Sequence, residues 1–165
     1  MPMAKKIDTK KAERKIKEAM KILETFGFPR QQLNERSALT LLSLLNLKPA
    51  DAWEIASDPL IGITPMMEFF AVHYGKRYAP NTRETVRRQT VHQFAQAGMI
   101  VPNPDMPSRP TNSPKAVYQI EPSALKLLRK FGKPSWGSHL REYMQTVETL
   151  KKLYARERDM RRIPV

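Results

Sequence analysis

Apolar residues recur along the first half of the chain at the three- and four-residue spacing that is typical of amphipathic helices. This periodicity predicts helices over residues 10–25, 35–45, 51–56 and 64–73. Gly27 and Gly75 follow the first and the last of these segments, where a residue that tolerates left-handed geometry ends a helix. Asn34 can cap the second helix with its side-chain oxygen. The first half of the chain is therefore expected to be mostly helical.

A different kind of helix, rich in arginine, is predicted over residues 82–97. Arg88 lies opposite its apolar face, whereas Arg83 and Arg87 lie nearer the boundary, where a long side chain can reach phosphates. Val86, Thr90 and Phe94 recur at helical spacing, so this face is expected to pack inward. Asn81 precedes the segment and is expected to cap it. Polar side chains occupy the opposite face and are expected to point outward: Thr85, Arg88, Gln89, His92 and Gln96.

Two short β-prone runs, residues 99–101 and 116–120, enclose a polar, proline-rich tip and predict a hairpin, or wing. Residues 123–131 and 138–161 predict two more helices, the last with a nearly heptad stripe that is expected to pack within the molecule. The predicted order of elements is two helices, then the arginine-rich helix, then the hairpin. This is the order of a winged helix-turn-helix. The predicted fold class is mostly α with a small β-hairpin, a winged helix-turn-helix core with additional N- and C-terminal helices.

The charge of the chain indicates a polyanionic partner. Its 165 residues include 29 lysines and arginines against 16 acidic residues, for a formal net charge of +13 and a pI near 10.2. Nucleic acid or an anionic membrane surface would satisfy this charge. The longest apolar run, residues 39–47, is interrupted by polar side chains, and the basic N-terminus lacks the apolar core of a secretory signal. Nucleic acid is favoured, no membrane partner is expected, and a cytoplasmic location follows.

The sequence offers little that indicates catalysis. There is no cysteine, and the three histidines are widely spaced, so no metal site and no cofactor are expected in this chain. Convincing nucleophile triads, paired carboxylates and glycine-rich phosphate loops are also missing. A single DNA-binding domain over residues 1–165 is therefore predicted, with a core over about 34–121 and a helical extension over about 122–162.

The arginine-rich helix is the predicted reader of the DNA major groove. Arg88 could contact a guanine edge with its planar fork, and Gln89 could contact adenine in the same bidentate way. His92 could bond a base or face water, and a merely solvated basic face is the alternative interpretation of the whole segment. The candidate DNA-binding residues of the helix are Asn81, Thr82, Arg83, Thr85, Arg87, Arg88, Gln89 and His92.

The wing and the flanks of the helix supply a second set of candidates. A guanidinium group and small hydrogen-bond donors at the tip are suited to hold phosphate or to enter a narrow minor groove. An ordinary surface turn is the alternative interpretation. The candidates are Lys76, Arg77, Arg109, Thr111, Asn112, Ser113 and Lys115.

Segments NERSALTLLSLLNLKP, YAPNTRET and RPTNSPK carry a resemblance that covers nearly all of the chain. The chain resembles the N-terminal domain of the BsuBI/PstI family of type II restriction endonucleases. In that family a helical DNA-binding region precedes a magnesium-dependent nuclease domain. The resemblance implies that the chain stops where the nuclease domain should begin. This chain alone is thus expected not to be an enzyme, with Mg²⁺ needed only by the absent domain.

The resemblance also implies a biological setting, restriction and modification in a prokaryotic cell. It implies a short palindromic target, CTGCAG for the namesakes, protected by adenine methylation and bound by a homodimer. The sequence does not decide whether the domain senses the methyl group, or whether methylation promotes or blocks DNA binding. A winged-helix transcriptional regulator is the alternative function, and a module that only clamps phosphates is a third.

Overall fold

The structure is a computed structural model, and it describes residues 7–147. Helices dominate it, as predicted, and a two-stranded antiparallel hairpin accompanies them. The helices are α1 (Thr9–Thr25), α2 (Glu35–Leu44), α3 (Ile63–Tyr74), α4, called the arginine helix (Thr82–Thr85, Val86–Val91 and His92–Gln96 in succession), α5 (Pro122–Leu128) and α6 (residues 136–147). The strands are β1 (Ile100–Pro102) and β2 (Tyr118–Ile120), and short 3₁₀ turns occupy Arg30–Gln32 and Trp53–Ile55.

Side-chain caps explain where the first two helices begin. Asp8 accepts a hydrogen bond from the backbone N–H of Lys11 at 3.1 Å, and Asn34 accepts one from Ser37 at 2.8 Å. Each cap satisfies a backbone donor that has no partner inside the helix. The predicted bounds of α1 and α2 are therefore confirmed to within one residue. The predicted 51–56 helix is a 3₁₀ turn that places Trp53 in the core.

The core is centred on α2. Every residue from 37 to 45 is buried, and α2 contacts α1, α3, the arginine helix and β2. Phe94 of the arginine helix is fully buried and meets the ring of Phe28 edge-on, with ring centroids 5.4 Å apart. Each such large apolar side chain contributes about 1.5–3 kcal/mol when it leaves water. The arginine helix is thus fixed from behind by the same core that holds α2.

The hairpin pairs Ile100 with Ile120 and Pro102 with Tyr118. Ile61, just before α3, adds a bridge to this sheet through two hydrogen bonds with Tyr118, at 3.0 and 2.9 Å. β2 begins two residues later than predicted, because the N–H of Ala116 bonds the carbonyl of Ser113 in a turn of the wing. This arrangement is the winged helix-turn-helix that the element order predicted.

The described part of the C-terminal helix packs on the molecule itself, as expected. Tyr143 of α6 is buried and stacks on Phe26, with ring centroids 5.3 Å apart. The helix begins at residue 136 rather than 138. The remainder of the predicted 138–161 helix, with Leu150 and Tyr154 of its stripe, lies outside the described residues. Within residues 7–147, no helix is both long and apolar enough to cross a membrane.

Two expectations about the arginine helix are wrong. Asn81 does not cap it, because Asn81 itself has helical geometry (φ −68°, ψ −15°) and its side chain makes no capping bond. The first turn starts earlier, with Thr82 N–H bonded to the Ala79 carbonyl at 2.9 Å, and Pro80 fills a position that needs no N–H. The predicted continuous α-helix is also interrupted, since Val86–Val91 form a π-helix.

Gly75 ends α3 and directs the chain toward the arginine helix. Its φ is +68°, and the N–H of Lys76 closes the helix end on the Phe70 carbonyl at 3.0 Å. A Cβ at this position would lie 3.0 Å from the Cδ1 atom of Ile7. We expect Gly75→Ala to lower the free energy of unfolding by about 1–2 kcal/mol, the cost of left-handed geometry, as measured by urea denaturation.

Gly137→Ala provides the matched control. Gly137 lies in α6 with no left-handed geometry, and a Cβ there would meet only an Arg141 nitrogen at 3.7 Å. Alanine favours a helix over glycine, so this variant should be unchanged or more stable by up to about 1 kcal/mol. Equal destabilisation by both substitutions would contradict the role assigned to Gly75.

Candidate nucleic-acid interface

The arginine helix presents its polar face to solvent, as the periodicity predicted. Arg88, Gln89 and His92 are exposed, and the Arg88 side chain is 74 % accessible. Val86 and Phe94 on the opposite face are fully buried. Among the other outward candidates, Thr85 is half-buried and Gln96 is exposed. The side chains that could read bases therefore share one accessible surface.

The π-helical segment determines how these side chains are spaced. Val86 and Val91 lie at its two ends, five residues apart, and both are buried. Between them, Thr90 accepts a hydrogen bond at 3.2 Å from Nε of Arg36, which belongs to α2. A π-segment inserts an extra residue into a helical turn and often occurs at functional sites. The exposed residues thus lie on a widened turn that is anchored at both ends.

Glu84 forms ion pairs with three arginines near the start of this helix. Its Oε2 atom lies 2.6 Å from Nη2 of Arg87 and 3.4 Å from Nε of Arg88. Its Oε1 atom lies 3.9 Å from Nη1 of Arg83. The hydrogen bond from Arg87 holds the pKa of the Glu84 carboxyl below its usual range and raises the pKa of Arg87. The cluster keeps a net positive charge around one ionised carboxylate.

The first turn of the arginine helix and the residues before it are held by contacts to α2 and α3. Arg83 donates to the hydroxyl of Thr64, at the start of α3, over 3.1 Å. Lys76 lies 3.4 Å from Glu35, and the same carboxylate accepts a 3.1 Å hydrogen bond from Tyr78. Burial and the nearby Glu35 charge raise the pKa of Tyr78 to about 12, so its hydroxyl remains a donor.

Between α3 and the start of the arginine helix lies an open groove of about 320 Å³. Arg77, an exposed candidate, lines it together with Arg83. Thr82 is half-buried, and Asn81 is exposed within the first turn. The basic candidates before Glu84 therefore remain accessible at one end of the helix.

The wing is built around a buried asparagine. Asn103 is 2 % exposed and has a φ of +49°, a conformation that asparagine tolerates better than most residues. Its Oδ1 atom accepts hydrogen bonds from the Val117 N–H at 3.0 Å and from Arg109 at 3.1 Å. Its backbone N–H donates to the Val117 carbonyl at 2.7 Å. One side chain thus ties both limbs of the wing together.

Arg109, predicted to face phosphate, is engaged inside the wing. Its two terminal nitrogens lie 3.1 and 3.0 Å from the two carboxylate oxygens of Asp105, and its side chain is only 14 % exposed. Arg109 holds the pKa of Asp105 below its usual range. The more accessible tip candidates are Thr111, Asn112 and Lys115, while Ser113 is half-buried and accepts a hydrogen bond from the Lys115 N–H.

The base of the wing lies beside the arginine cluster. Burial raises the pKa of Tyr118 in β2, and the charges of Arg87 and Arg83 act on it in the opposite direction. Arg87 and Arg83 thus influence the base of the wing electrostatically. The arginine helix, residues 76–81 and the wing are together called the basic region.

Several residues that hold this region were not predicted as parts of the site, among them Glu84, Arg36, Asn103 and Asp105. The sequence does contain a signal for the ion pairs of Glu84, since Arg87 and Arg88 follow it at the three- and four-residue spacing of helical ion pairs. No sequence pattern indicates the contact between Arg36 and Thr90, because 54 residues separate them. Asn103 and Asp105 lie in a loop whose turns have no simple periodicity.

Comparison with known proteins identifies close relatives. Residues 13–152 match the family model described as the BsuBI/PstI restriction endonuclease HTH domain. The chain is 54 % identical over 150 residues to the type II restriction enzyme BsuBI of Bacillus subtilis, covering 91 % of this chain and 48 % of that protein. It is 34 % identical over 157 residues to the type II restriction enzyme AplI of Arthrospira platensis, covering 95 % and 48 %.

A solved structure shares the fold. The SdaI restriction endonuclease superposes with a TM-score of 0.78 at 32 % identity, over 86 % of this chain and 44 % of that one. The chain thus spans about half the length of the relatives that it matches. The expectation that this chain is not an enzyme is contradicted, because the proteins that match nearly its whole length are named restriction enzymes.

We expect Asn103→Ala to loosen the wing. The substitution removes the acceptor of Val117 N–H and puts alanine into left-handed geometry, so the free energy of local opening should fall by about 1–3 kcal/mol. Hydrogen exchange at the Val117 amide measures this opening. Asn103→Gly keeps the permitted φ and should lose less protection than Asn103→Ala. Unchanged exchange in both variants would contradict the structural role of Asn103.

Proposed function

The chain belongs to the BsuBI/PstI restriction endonuclease HTH domain family, and from that premise we propose that it recognises DNA for a type II restriction endonuclease. The observation that carries this proposal is the exposed set Arg88, Gln89 and His92 on a helix anchored from behind. A helix of this kind fits the major groove, where base edges differ for every base pair.

Base reading is assigned to the centre of the helix. The exposed guanidinium group of Arg88 can donate to the O6 and N7 acceptors of guanine. Gln89 can pair with adenine through its amide, and Nη2 of Arg36 lies 3.5 Å from the Gln89 Oε1 atom, which restrains that amide. His92 lies further along the same exposed face and can bond a neighbouring base.

Phosphate binding is assigned to the ends of the basic region. Lys76 and Arg77 precede the base-reading residues and are the main phosphate candidates on that side. Arg83 and Arg87 also precede those residues and can bind phosphate only in competition with Glu84. The exposed wing tip supplies Lys115 and the small polar side chains beside it. Such contacts fix the orientation of the protein on the duplex and depend strongly on salt, but carry no sequence information.

The whole protein is proposed to be a nuclease that hydrolyses phosphodiester bonds with Mg²⁺ as cofactor. Its relatives' names support this activity, and no described residue is assigned to the chemistry. The proposed target is a short palindrome, bound by a homodimer with one arginine helix in each half-site. A methyl group on adenine N6 would occupy the edge that Gln89 approaches, so methylation of the target should weaken binding.

The test is binding of the full-length protein to four duplexes of equal length, by fluorescence anisotropy with EDTA at near-physiological salt. They carry CTGCAG unmethylated, hemimethylated or fully adenine-methylated, or a scrambled sequence. Unmethylated CTGCAG should bind at least about a hundredfold more tightly than the scrambled duplex, and full methylation should reduce the difference. Addition of Mg²⁺ should then produce cleavage of the unmethylated site alone.

Arg88→Ala separates a sequence reader from a phosphate clamp. Loss of the guanine contact should reduce the difference in binding free energy between the CTGCAG and scrambled duplexes by about 1–3 kcal/mol. Affinity for the scrambled duplex should change less. Arg14→Ala, an equal charge change on the exposed side of α1, should leave discrimination intact. Equal binding of wild type to all four duplexes, or uniform weakening by Arg88→Ala, would contradict the proposed base reading.

A further inference from the structure

Glu84 is the one acidic residue between positions 76 and 92, and it lies in the first turn of the arginine helix. Its carboxylate faces the guanidinium groups of Arg83, Arg87 and Arg88. Exposed ion pairs contribute little to folding stability. An exposed acid that holds three arginines on a DNA-facing helix therefore has its main effect on what those arginines bind.

Arg87 and Arg88 contact the Glu84 carboxylate through different nitrogen atoms. Arg88 meets Glu84 through Nε, at 3.4 Å, rather than through one of its terminal nitrogens, and its side chain is 74 % exposed. Recognition of guanine uses those terminal nitrogens, so an Arg88 contact to a base is compatible with the ion pair. Arg87 meets Glu84 through a terminal nitrogen, and its side chain is only 19 % exposed. A phosphate contact by Arg87 would compete with Glu84 for the same N–H groups.

We propose that Glu84 is a positioning residue for specificity: it holds Arg88 in a base-reading orientation and restrains Arg87 and Arg83 from binding phosphates of any DNA sequence. This inference rests on the proposed function of the arginine helix. Phosphate contacts supply most of the affinity for non-target DNA. A carboxylate that competes with phosphates weakens this sequence-independent binding, while the Arg88 contact with a base survives. Glu84 thus increases the ratio of target to non-target affinity.

The experiment compares wild type with Glu84→Gln in the full-length protein, with EDTA so that no cleavage occurs. Glutamine preserves the size of the side chain and removes its charge. Dissociation constants are measured for the CTGCAG duplex and the scrambled duplex at several salt concentrations. Glu84→Gln should bind the scrambled duplex about three to ten times more tightly, with a steeper salt dependence, and its discrimination should fall.

Two controls distinguish restraint of the arginines from a general loss of negative charge. Glu24→Gln removes the same charge from the exposed end of α1 and should change scrambled-duplex affinity by less than about twofold. In Arg87→Ala and Arg83→Ala backgrounds, Glu84→Gln should gain less affinity for the scrambled duplex, since an arginine that Glu84 restrains has been removed.

An affinity gain that is equal for Glu84→Gln and Glu24→Gln, or that is undiminished in both arginine backgrounds, would overturn the inference. So would unchanged affinity and salt dependence in Glu84→Gln. Failure of the proposed function has a different signature, namely equal binding of wild type to the two duplexes, or no measurable binding to either at low salt, and the inference would fall with it.

Discussion

Burial of α2 on all sides is the constraint on which the rest of this structure depends. A helix that is enclosed all round can only be stable if other elements cover each of its faces. In this protein α1, α3, the arginine helix and β2 do so. The arginine helix is therefore positioned by the requirement to cover apolar surface, and its polar face is directed to solvent as a consequence. The position of the candidate interface follows from packing rather than from its own polar contacts.

The arginine helix adapts to this packing through its π-segment. Val86 and Val91 both reach the core, and Arg36 of the central helix bonds the hydroxyl of Thr90 between them. The same arginine restrains Gln89 on the accessible side. Packing and the proposed recognition are thus linked through one side chain of α2. The wing is fixed independently, by hydrogen bonds that converge on the buried amide of Asn103.

Those parts of the fold that depend on local rules could be predicted from the sequence. The periodicity of α1 and α2, the cap at Asn34 and the left-handed Gly75 each rest on neighbours a few residues away. The prediction that Asn81 caps the arginine helix is wrong because the helical turn begins earlier, at Ala79, whose carbonyl accepts from the Thr82 N–H. The π-segment and the contact from Arg36 could not be predicted, since both depend on residues distant in sequence. The inward and outward faces of the arginine helix were predicted correctly, whereas Arg109 forms an ion pair that the sequence did not indicate.

A crystal structure of the full-length protein bound to the duplex that it prefers would show whether the face carrying Arg88, Gln89 and His92 contacts DNA. We expect the arginine helix to lie in the major groove, with Arg88 at a base edge and still paired to Glu84, and with the wing tip against the backbone. A complex in which this face points to solvent, with another helix in the groove, would rule out the proposed interface.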